Sequence, residues 1–139
     1  MNRSTPQHNL ARHNDGMDAV SRQDLVDRVL LAADLVPAGR VVSYGDIAEL
    51  VGTSPRQVGR VMATAGHEVC WWRVVNSSGD LPVSRLAAAR CHWQAEGITV
   101  KDSGRGCRIR SSRADLVSWA AGYQQELIDC EPTDGLEQG

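Results

Sequence analysis

The feature that most constrains this 139-residue chain is a pair of short helical segments separated by a turn of three residues. Ser43 can cap a helix over residues 44–51, and Gly52 can end that helix. A second helix has Pro55 in its first turn and is predicted to run to about Thr64. Two short helices joined by a tight, glycine-containing turn predict a helix-turn-helix.

Further elements follow from the spacing of apolar residues and from the turn residues between them. Helices are predicted over residues 23–36, 82–96 and 114–129. Residues 98–100 and 107–109 can pair as a β-hairpin around a glycine-rich turn. A helix-turn-helix followed by such a hairpin predicts a mostly α, winged-helix-like domain with a small β-hairpin.

The chain divides into three predicted parts. Residues 1–20 are polar and lack apolar periodicity, so we expect a disordered leader. Residues 21–110 form the predicted domain, and residues 111–139 form a C-terminal helix followed by an acidic tail. The length suits one compact domain with a modest core, and we expect a monomer.

The cysteine and histidine positions argue against a metal cofactor. The four cysteines are Cys70, Cys91, Cys107 and Cys130, and the histidines are at positions 8, 13, 67 and 92. Neither set has the paired spacing of metal ligands, so no cofactor is expected. No apolar run is long enough for a transmembrane helix, and the first residues lack an apolar signal core. We therefore expect a cytoplasmic protein with free thiols and no membrane partner.

The net charge of -2 hides an uneven distribution of charge along the chain. Residues 54–110 carry nine basic and four acidic side chains, whereas residues 111–139 carry one basic and six acidic side chains. A basic middle segment is what a phosphate-binding surface needs. The alternative is a solvated face whose uneven charge arose by chance.

Three motifs carry a family resemblance. They are residues 37–48 (PAGRVVSYGDIA), 56–62 (RQVGRVM) and 72–79 (WRVVNSSG). Their order and spacing, over roughly residues 22–110, resemble the DNA-binding domain of O6-alkylguanine-DNA alkyltransferases. The resemblance implies a recognition helix that enters the minor groove of a bent duplex.

The acceptor cysteine of that family lies in a Pro-Cys-His-Arg-Val segment. Aligning Arg73 and Val74 with its Arg-Val places Trp71 at the cysteine and Trp72 at the histidine. Tryptophan at the acceptor position is typical of the alkyltransferase-like proteins, which bind O6-alkylguanine, leave the alkyl group in place and pass the site to nucleotide excision repair. Indole offers no nucleophile for the transfer, so no catalytic residue is expected.

The two tryptophans are expected to have different roles. If residues 69–75 are extended, neighbouring side chains point to opposite faces. We therefore expect Trp71 to line the lesion pocket and Trp72 to pack in the core; the alternative is that both are core residues. Cys70 lies one residue from the acceptor position, where a displaced acceptor would make the protein an active methyltransferase. A slip of one residue would turn that thiol to the other face, which argues against this alternative.

Four positions on the helix-turn-helix match residues that contact DNA in the family. Tyr44 matches the tyrosine that crowds the 3′ phosphate of the target nucleotide and helps rotate it out; the alternative is a tyrosine on a buried helix face. Arg56 matches the arginine finger that fills the gap left by the flipped base. Gly59 would let DNA approach the helix closely, unless it is simply a tolerated helical glycine. Arg60 should contact a phosphate, unless it is only solvated.

Two more arginines are assigned near the pocket by the resemblance. Arg85 lies where related lesion binders place an arginine over the flipped base. Arg73 matches a family arginine that anchors its loop to neighbouring helices. We interpret His67 and His92 as surface or hydrogen-bonded residues.

Together, the resemblance implies non-enzymatic recognition of O6-alkylguanine in double-stranded DNA by base flipping, with nucleotide excision repair proteins as partners. The first alternative is an O6-methylguanine-DNA methyltransferase that uses Cys70. The second is a winged-helix transcription regulator in which Arg56 and Arg60 read bases in the major groove.

Overall fold

A computed structural model describes residues 23–130 of the chain. In chain order its elements are α1 (residues 23–34), β1 (Val42–Ser43), α2 (Tyr44–Val51), α3 (Pro55–Ala65), β2 (Val74–Val75), α4 (Val83–Glu96), α5 (Ile109–Ser112) and α6 (Leu116–Cys130). Two turns of 3₁₀ helix, Gly66–Glu68 and Trp71–Arg73, lie between α3 and β2. The predicted disordered leader and the acidic tail lie outside the described residues. None of the helices within residues 23–130 is both long and apolar enough to span a membrane.

The predicted helix-turn-helix is present as α2 and α3, and its caps explain its boundaries. The Ser43 hydroxyl accepts a hydrogen bond from the Asp46 N–H at 3.0 Å, and the Asp46 carboxylate accepts one from the Ser43 N–H at 2.9 Å. Gly52 ends α2 in the left-handed conformation, with φ 91°. Ser54 caps α3, which has Pro55 in its first turn.

Two apolar clusters form the core of residues 23–130. The first joins α1, α2, α3 and α6, and it buries Ile47, Val58 and Tyr123 almost completely. The second lies under α4 and is built around Trp93, with Val75 of β2 beside it. The helix-turn-helix therefore rests on the first and last helices of the described chain.

The small sheet consists of two parallel strands. β1 and β2 pair with Val42 opposite Val74 and Ser43 opposite Val75. α2 begins directly after β1, and the Trp71–Arg73 turn ends directly before β2. The strand pairing therefore places the start of α2 beside the end of the Trp71–Arg73 turn. The mostly helical class with a small β-element is confirmed, although the two strands are not those of the predicted hairpin.

The hairpin predicted around residues 98–109 keeps a single antiparallel bridge, Val100 with Cys107. Its second arm leaves the first because it also pairs with the turn after β2, where the Cys107 N–H donates to the Gly79 carbonyl at 2.8 Å. The two backbones meet so closely that a Cβ on Gly79 would overlap the carbonyl of Cys107. The chain then forms α5 in place of a longer strand.

The last helix begins at Leu116, two residues later than predicted, because residues 112–114 run alongside the segment that precedes α2. The Val41 N–H donates to the Ser112 carbonyl at 2.8 Å, and the Ala114 N–H donates to the Val41 carbonyl at 2.9 Å. The C-terminal part of the described chain is thereby joined to the base of the helix-turn-helix.

A largely buried ion pair fixes the turn that carries the two tryptophans. Nη2 of Arg73 lies 2.6 Å from Oε2 of Glu96 on α4, and the two side chains are 13% and 14% exposed. Arg73 also donates through Nη1 to the Val36 carbonyl at 2.9 Å, and Glu96 accepts from the Gly39 N–H at 3.0 Å. The prediction that Arg73 anchors its loop to neighbouring helices is confirmed.

The hydrogen bonds around Glu96 set its charge. Burial raises the pKa of Glu96, but hydrogen bonds from Arg73, Gly39 and Trp72 outweigh it and hold that pKa below its ordinary value. The hydrogen bond to Glu96 in turn raises the pKa of Arg73. Both groups are therefore charged at neutral pH, and the pair loses its contribution to stability only as pH falls through the lowered pKa of Glu96.

We expect Glu96→Gln to lower the free energy of unfolding by about 1–3 kcal/mol at pH 7, because Arg73 then keeps its charge in a largely buried site without an anionic partner. A carboxyl whose pKa is lowered by folding stabilises the protein above its unfolded pKa of about 4.3. The difference between the two proteins should therefore shrink as pH falls below about 4. Urea unfolding at pH 7 and pH 3 measures both values.

The matched control for this prediction is Glu68→Gln, which changes an exposed carboxylate. It should alter stability by less than about 0.5 kcal/mol at either pH. A loss for Glu96→Gln that stays the same at pH 7 and pH 3 would show that the ion pair is not what the substitution removes.

Candidate nucleic-acid interface

Helix α3 presents one polar face to solvent. Arg56 and Arg60 are exposed and lie one turn apart on it, while Val58 and Met62 are buried on the opposite side. Ser54 caps the helix, so Arg56 lies in its first turn. The structure thus brings the two arginines predicted to contact DNA onto one accessible helix face.

Tyr44 is the first residue of α2 and packs against α3. Its ring is half-buried against the first core cluster, and Cε2 lies 3.6 Å from the place that a Cβ would take on Gly59. This is an ordinary contact distance, so the packing of Tyr44 does not itself require glycine at position 59. Burial raises the pKa of Tyr44, while Arg85 acts in the opposite direction. The phenol is therefore neutral at physiological pH and can donate a hydrogen bond to a phosphate oxygen.

Trp71 and Trp72 lie in the 3₁₀ turn Trp71–Arg73 and not in an extended segment. The expectation that they point to opposite faces is wrong, because consecutive side chains of a 3₁₀ helix are only about 120° apart. Their ring centroids are 5.8 Å apart and their planes are nearly perpendicular, at 88°. Both side chains are half-buried: Trp71 packs against both core clusters and Trp72 against the second, so neither is fully enclosed in the core.

His92 of α4 completes an aromatic cluster with the two tryptophans. Its ring stacks on Trp72, with 3.7 Å between centroids and 7° between planes, and it lies perpendicular to Trp71 at 5.8 Å. The indole N–H of Trp72 donates to Glu96 at 3.0 Å. We refer to Trp71, Trp72 and His92 as the aromatic cluster.

From the sequence we interpret His92 as a surface or hydrogen-bonded residue, so His92 is missing from the predicted site. The sequence held one weak sign that His92 belongs to the site. His92 and Glu96 are four residues apart and therefore share one face of the predicted helix. Glu96, which holds both Arg73 and Trp72, was also absent from the predicted site.

Arg85 connects the aromatic cluster to α3. Its guanidinium carbon lies 5.4 Å from the centroid of the Trp71 ring, a cation–π distance. Its Nη2 also lies 3.3 Å from the carbonyl oxygen of Ala63 near the end of α3. Because the charge of Arg85 also affects the pKa of Tyr44, the predicted residues Tyr44, Trp71 and Arg85 share one neighbourhood.

The thiol beside the tryptophans is poorly suited to nucleophilic attack. Burial is the main cause that raises the pKa of Cys70; Asp34 and Glu96 raise it further, and Arg73 opposes them. The thiolate is therefore scarce at neutral pH, although only the thiolate attacks an alkyl carbon efficiently. In residues 23–130, no three or more His, Cys, Asp or Glu side chains are grouped so that they could hold a metal ion.

Comparison with known proteins gives a consistent set of relatives. The model of the DNA-binding domain of 6-O-methylguanine DNA methyltransferase matches residues 24–98. The DNA base-flipping protein of Escherichia coli is 37% identical over 84 residues, which make up 56% of this chain and 65% of the relative. The match thus spans slightly less than two thirds of that protein. Alkyltransferase-like protein 1 of Schizosaccharomyces pombe is 33% identical over 79 residues, covering 51% of this chain and 73% of the relative.

A solved structure shares the fold. The crystal structure of S. pombe Atl1 in complex with damaged DNA containing O6-carboxymethylguanine superposes with a TM-score of 0.57 at 25% identity. The superposition covers 66% of this chain and 94% of that one. Because the family model spans more than half of the sequence, including the helix-turn-helix, the aromatic cluster and Arg85, the chain belongs to the family of the 6-O-methylguanine DNA methyltransferase DNA-binding domain.

Proposed function

We propose that this protein recognises O6-alkylguanine in duplex DNA by rotating the damaged base out of the helix and holding it, without transferring the alkyl group. The observation that carries the proposal is the position of Trp71, which the motif places where an acceptor cysteine would stand. Trp71 is half-buried, packs against both core clusters and lies against the Arg85 guanidinium. It offers a flat apolar surface and no nucleophile.

Base flipping needs groups that enter the DNA as well as a pocket. In this proposal Arg56, which is exposed in the first turn of α3, fills the gap in the base stack. Tyr44 directs its neutral phenol at the phosphate of the rotated nucleotide, and Arg60 neutralises a further phosphate. The position of Tyr44 beside Gly59 of α3 supports a joint action of the two helices.

The aromatic cluster is proposed to receive the rotated base. Aromatic rings stack on nucleobases of any sequence, and a guanidinium can lie over the opposite face of the base. Arg85 already covers Trp71 in the free protein, so a base inserted between them would exchange one cation–π contact for two stacked faces.

The proposal extends to the fate of the lesion. A protein that binds O6-alkylguanine without repairing it must release the site to other enzymes, and the family resemblance makes nucleotide excision repair proteins the expected recipients. We further propose that the protein acts as a cytoplasmic monomer.

The test of the proposed function is a titration of an O6-methylguanine duplex against the same duplex with guanine. At equal salt concentration the electrostatic part of the affinity is common to both duplexes, so a difference in affinity reports on the altered base. The lesion duplex should bind more tightly. Equal affinity for the two duplexes would contradict the proposal and favour a general or sequence-reading DNA-binding protein.

We expect the mass of the protein to stay unchanged after incubation with O6-methylguanine DNA. Trp71 supplies no nucleophile, and the raised pKa of Cys70 leaves little thiolate. Trp71→Cys alone should also fail to transfer the methyl group rapidly, because Trp72 supplies no base to activate the new thiol. Intact-mass spectrometry measures both outcomes; a gain of one methyl group on Cys70 of the unaltered protein would establish the methyltransferase alternative.

We expect Arg56→Ala and Arg60→Ala to differ in which duplex they affect. Unstacking a base costs a few kcal/mol, so loss of the group that fills the gap should weaken binding of the lesion duplex severalfold and the guanine duplex less. Arg60→Ala should weaken both duplexes alike and reduce the salt dependence by about one charge. Titrations at several salt concentrations measure the affinities and their salt dependence. If Arg56→Ala weakens binding of both duplexes equally, Arg56 contacts a phosphate and does not fill the gap.

We expect affinity to hold or rise from O6-methyl to longer O6-alkyl groups, because each buried methylene contributes about 0.8 kcal/mol. Trp71→Ala should weaken lesion binding by about 1–3 kcal/mol, as does the loss of other base-stacking rings. Trp72→Ala is the comparison, since Trp72 donates to Glu96 and stacks on His92, and its loss should lower the melting temperature more. If Trp71→Ala unfolds the protein while Trp72→Ala selectively loses the lesion, the two roles are reversed.

A further inference from the structure

A second ion pair joins the C-terminal part of the chain to the helix that carries Tyr44. Nη2 of Arg113 lies 2.5 Å from Oδ1 of Asp46, whose side chain is only 7% exposed. Arg113 is held in place by its backbone, since it bridges to Val41 in parallel orientation. Arg113 lies outside residues 24–98, the part of the chain that matches the family model.

Asp46, the partner of Arg113, also caps the start of α2. Asp46 closes the capping box, in which its Oδ2 accepts from the Ser43 N–H at 2.9 Å. Tyr44 lies between these two capping residues, in the first helical position, where its ring lies beside Gly59 of α3. The direction of the Tyr44 side chain therefore depends on how firmly this first turn is held.

The segment that carries Arg113 is itself well anchored. Residues 112–114 hydrogen-bond to Val41 on both sides. Ala114 is buried, and Trp119 of α6 donates to the Ala32 carbonyl of α1 at 2.9 Å. The guanidinium thus projects from a fixed backbone onto the carboxylate of α2.

We propose that Arg113 is a positioning residue for base flipping, which acts through Asp46 to hold the first turn of α2 and thereby Tyr44. This inference rests on the proposed function. Without the guanidinium, Oδ1 of Asp46 lies almost buried without its cationic partner, and the carboxylate is free to leave the Ser43 N–H. The first turn of α2 then loosens, and Tyr44 no longer meets the phosphate in a fixed position. The arginines of α3 are unaffected, so the general attraction to DNA remains.

The test compares Arg113→Gln with Arg40→Gln on two duplexes. Arg40 is exposed and its replacement changes the net charge equally, so it controls for loss of a positive charge. Affinity is measured for the O6-methylguanine and guanine duplexes, and flipping is followed by the fluorescence of 2-aminopurine placed next to the lesion. Arg113→Gln should weaken lesion binding roughly three- to tenfold, reduce the fluorescence rise at saturation and leave the guanine duplex nearly unchanged. Arg40→Gln should leave the fluorescence rise intact.

A double-mutant cycle shows whether Arg113 acts through Asp46. Asp46→Asn keeps an oxygen that can accept from the Ser43 N–H but loses the charge that Arg113 holds. In this background Arg113→Gln should have little further effect on lesion binding. Arg113→Lys, which keeps the charge, should recover part of the fluorescence rise and gives a folded comparison if Arg113→Gln melts below the titration temperature.

Three outcomes overturn the inference. They are an unchanged fluorescence rise in Arg113→Gln, an equal loss for Arg40→Gln, and an undiminished effect of Arg113→Gln in the Asp46→Asn background. Each leaves the proposed function standing if the unaltered protein still prefers the lesion duplex. A lack of that preference in the unaltered protein contradicts the proposed function itself and is seen before any variant is compared.

Discussion

The ion pair between Arg73 and Glu96 determines where the two tryptophans lie. Arg73 binds the Val36 carbonyl just after α1 and Glu96 at the end of α4, so the Trp71–Arg73 turn is held from two sides. The same carboxylate also accepts the indole N–H of Trp72 and a backbone N–H of Gly39. With its hydrogen bonds satisfied, the charge can stay in a largely buried place. The turn that carries Trp71 and Trp72 is therefore tied to α4 and to the segment after α1.

The Glu96 carboxylate also binds Trp72, the residue that the family resemblance aligns with a histidine. Trp72 offers one N–H donor, and Glu96 accepts it at 3.0 Å. What the indole cannot do is accept a proton, because its only polar atom is a donor. Trp72 therefore takes part in the hydrogen-bonded frame of the turn but cannot act as the base that a thiol acceptor needs. Such a side chain fits the proposed binding role better than alkyl transfer.

The sequence predicted most of the helix boundaries because they depend on local chemistry. Ser43, Gly52 and Pro55 act within their own turns, and they determine where α2 and α3 begin and end. The shape of the Trp71–Arg73 turn could not be predicted in the same way, since it depends on Glu96, 23 residues beyond Arg73. The motif match identified Trp71 and Arg85 but could not show that they touch. Such contacts follow from how α4 packs on the core, which spacing along one chain does not reveal.

The physical requirement behind such a site is that capture of the base must offset the cost of removing it from the stack. That cost is a few kcal/mol, and one stacked ring returns about 1–3 kcal/mol. A pocket alone therefore barely balances it, and a group that fills the gap in the DNA must contribute at the same time. In the proposed function these two contributions come from different elements, the aromatic cluster and α3. Arg85 touches both, since it lies over Trp71 and against the Ala63 carbonyl at the end of α3. In the free protein that side chain ties the wall of the proposed pocket to α3, the helix proposed to face DNA, so fewer groups remain to be ordered when a base enters between Arg85 and Trp71.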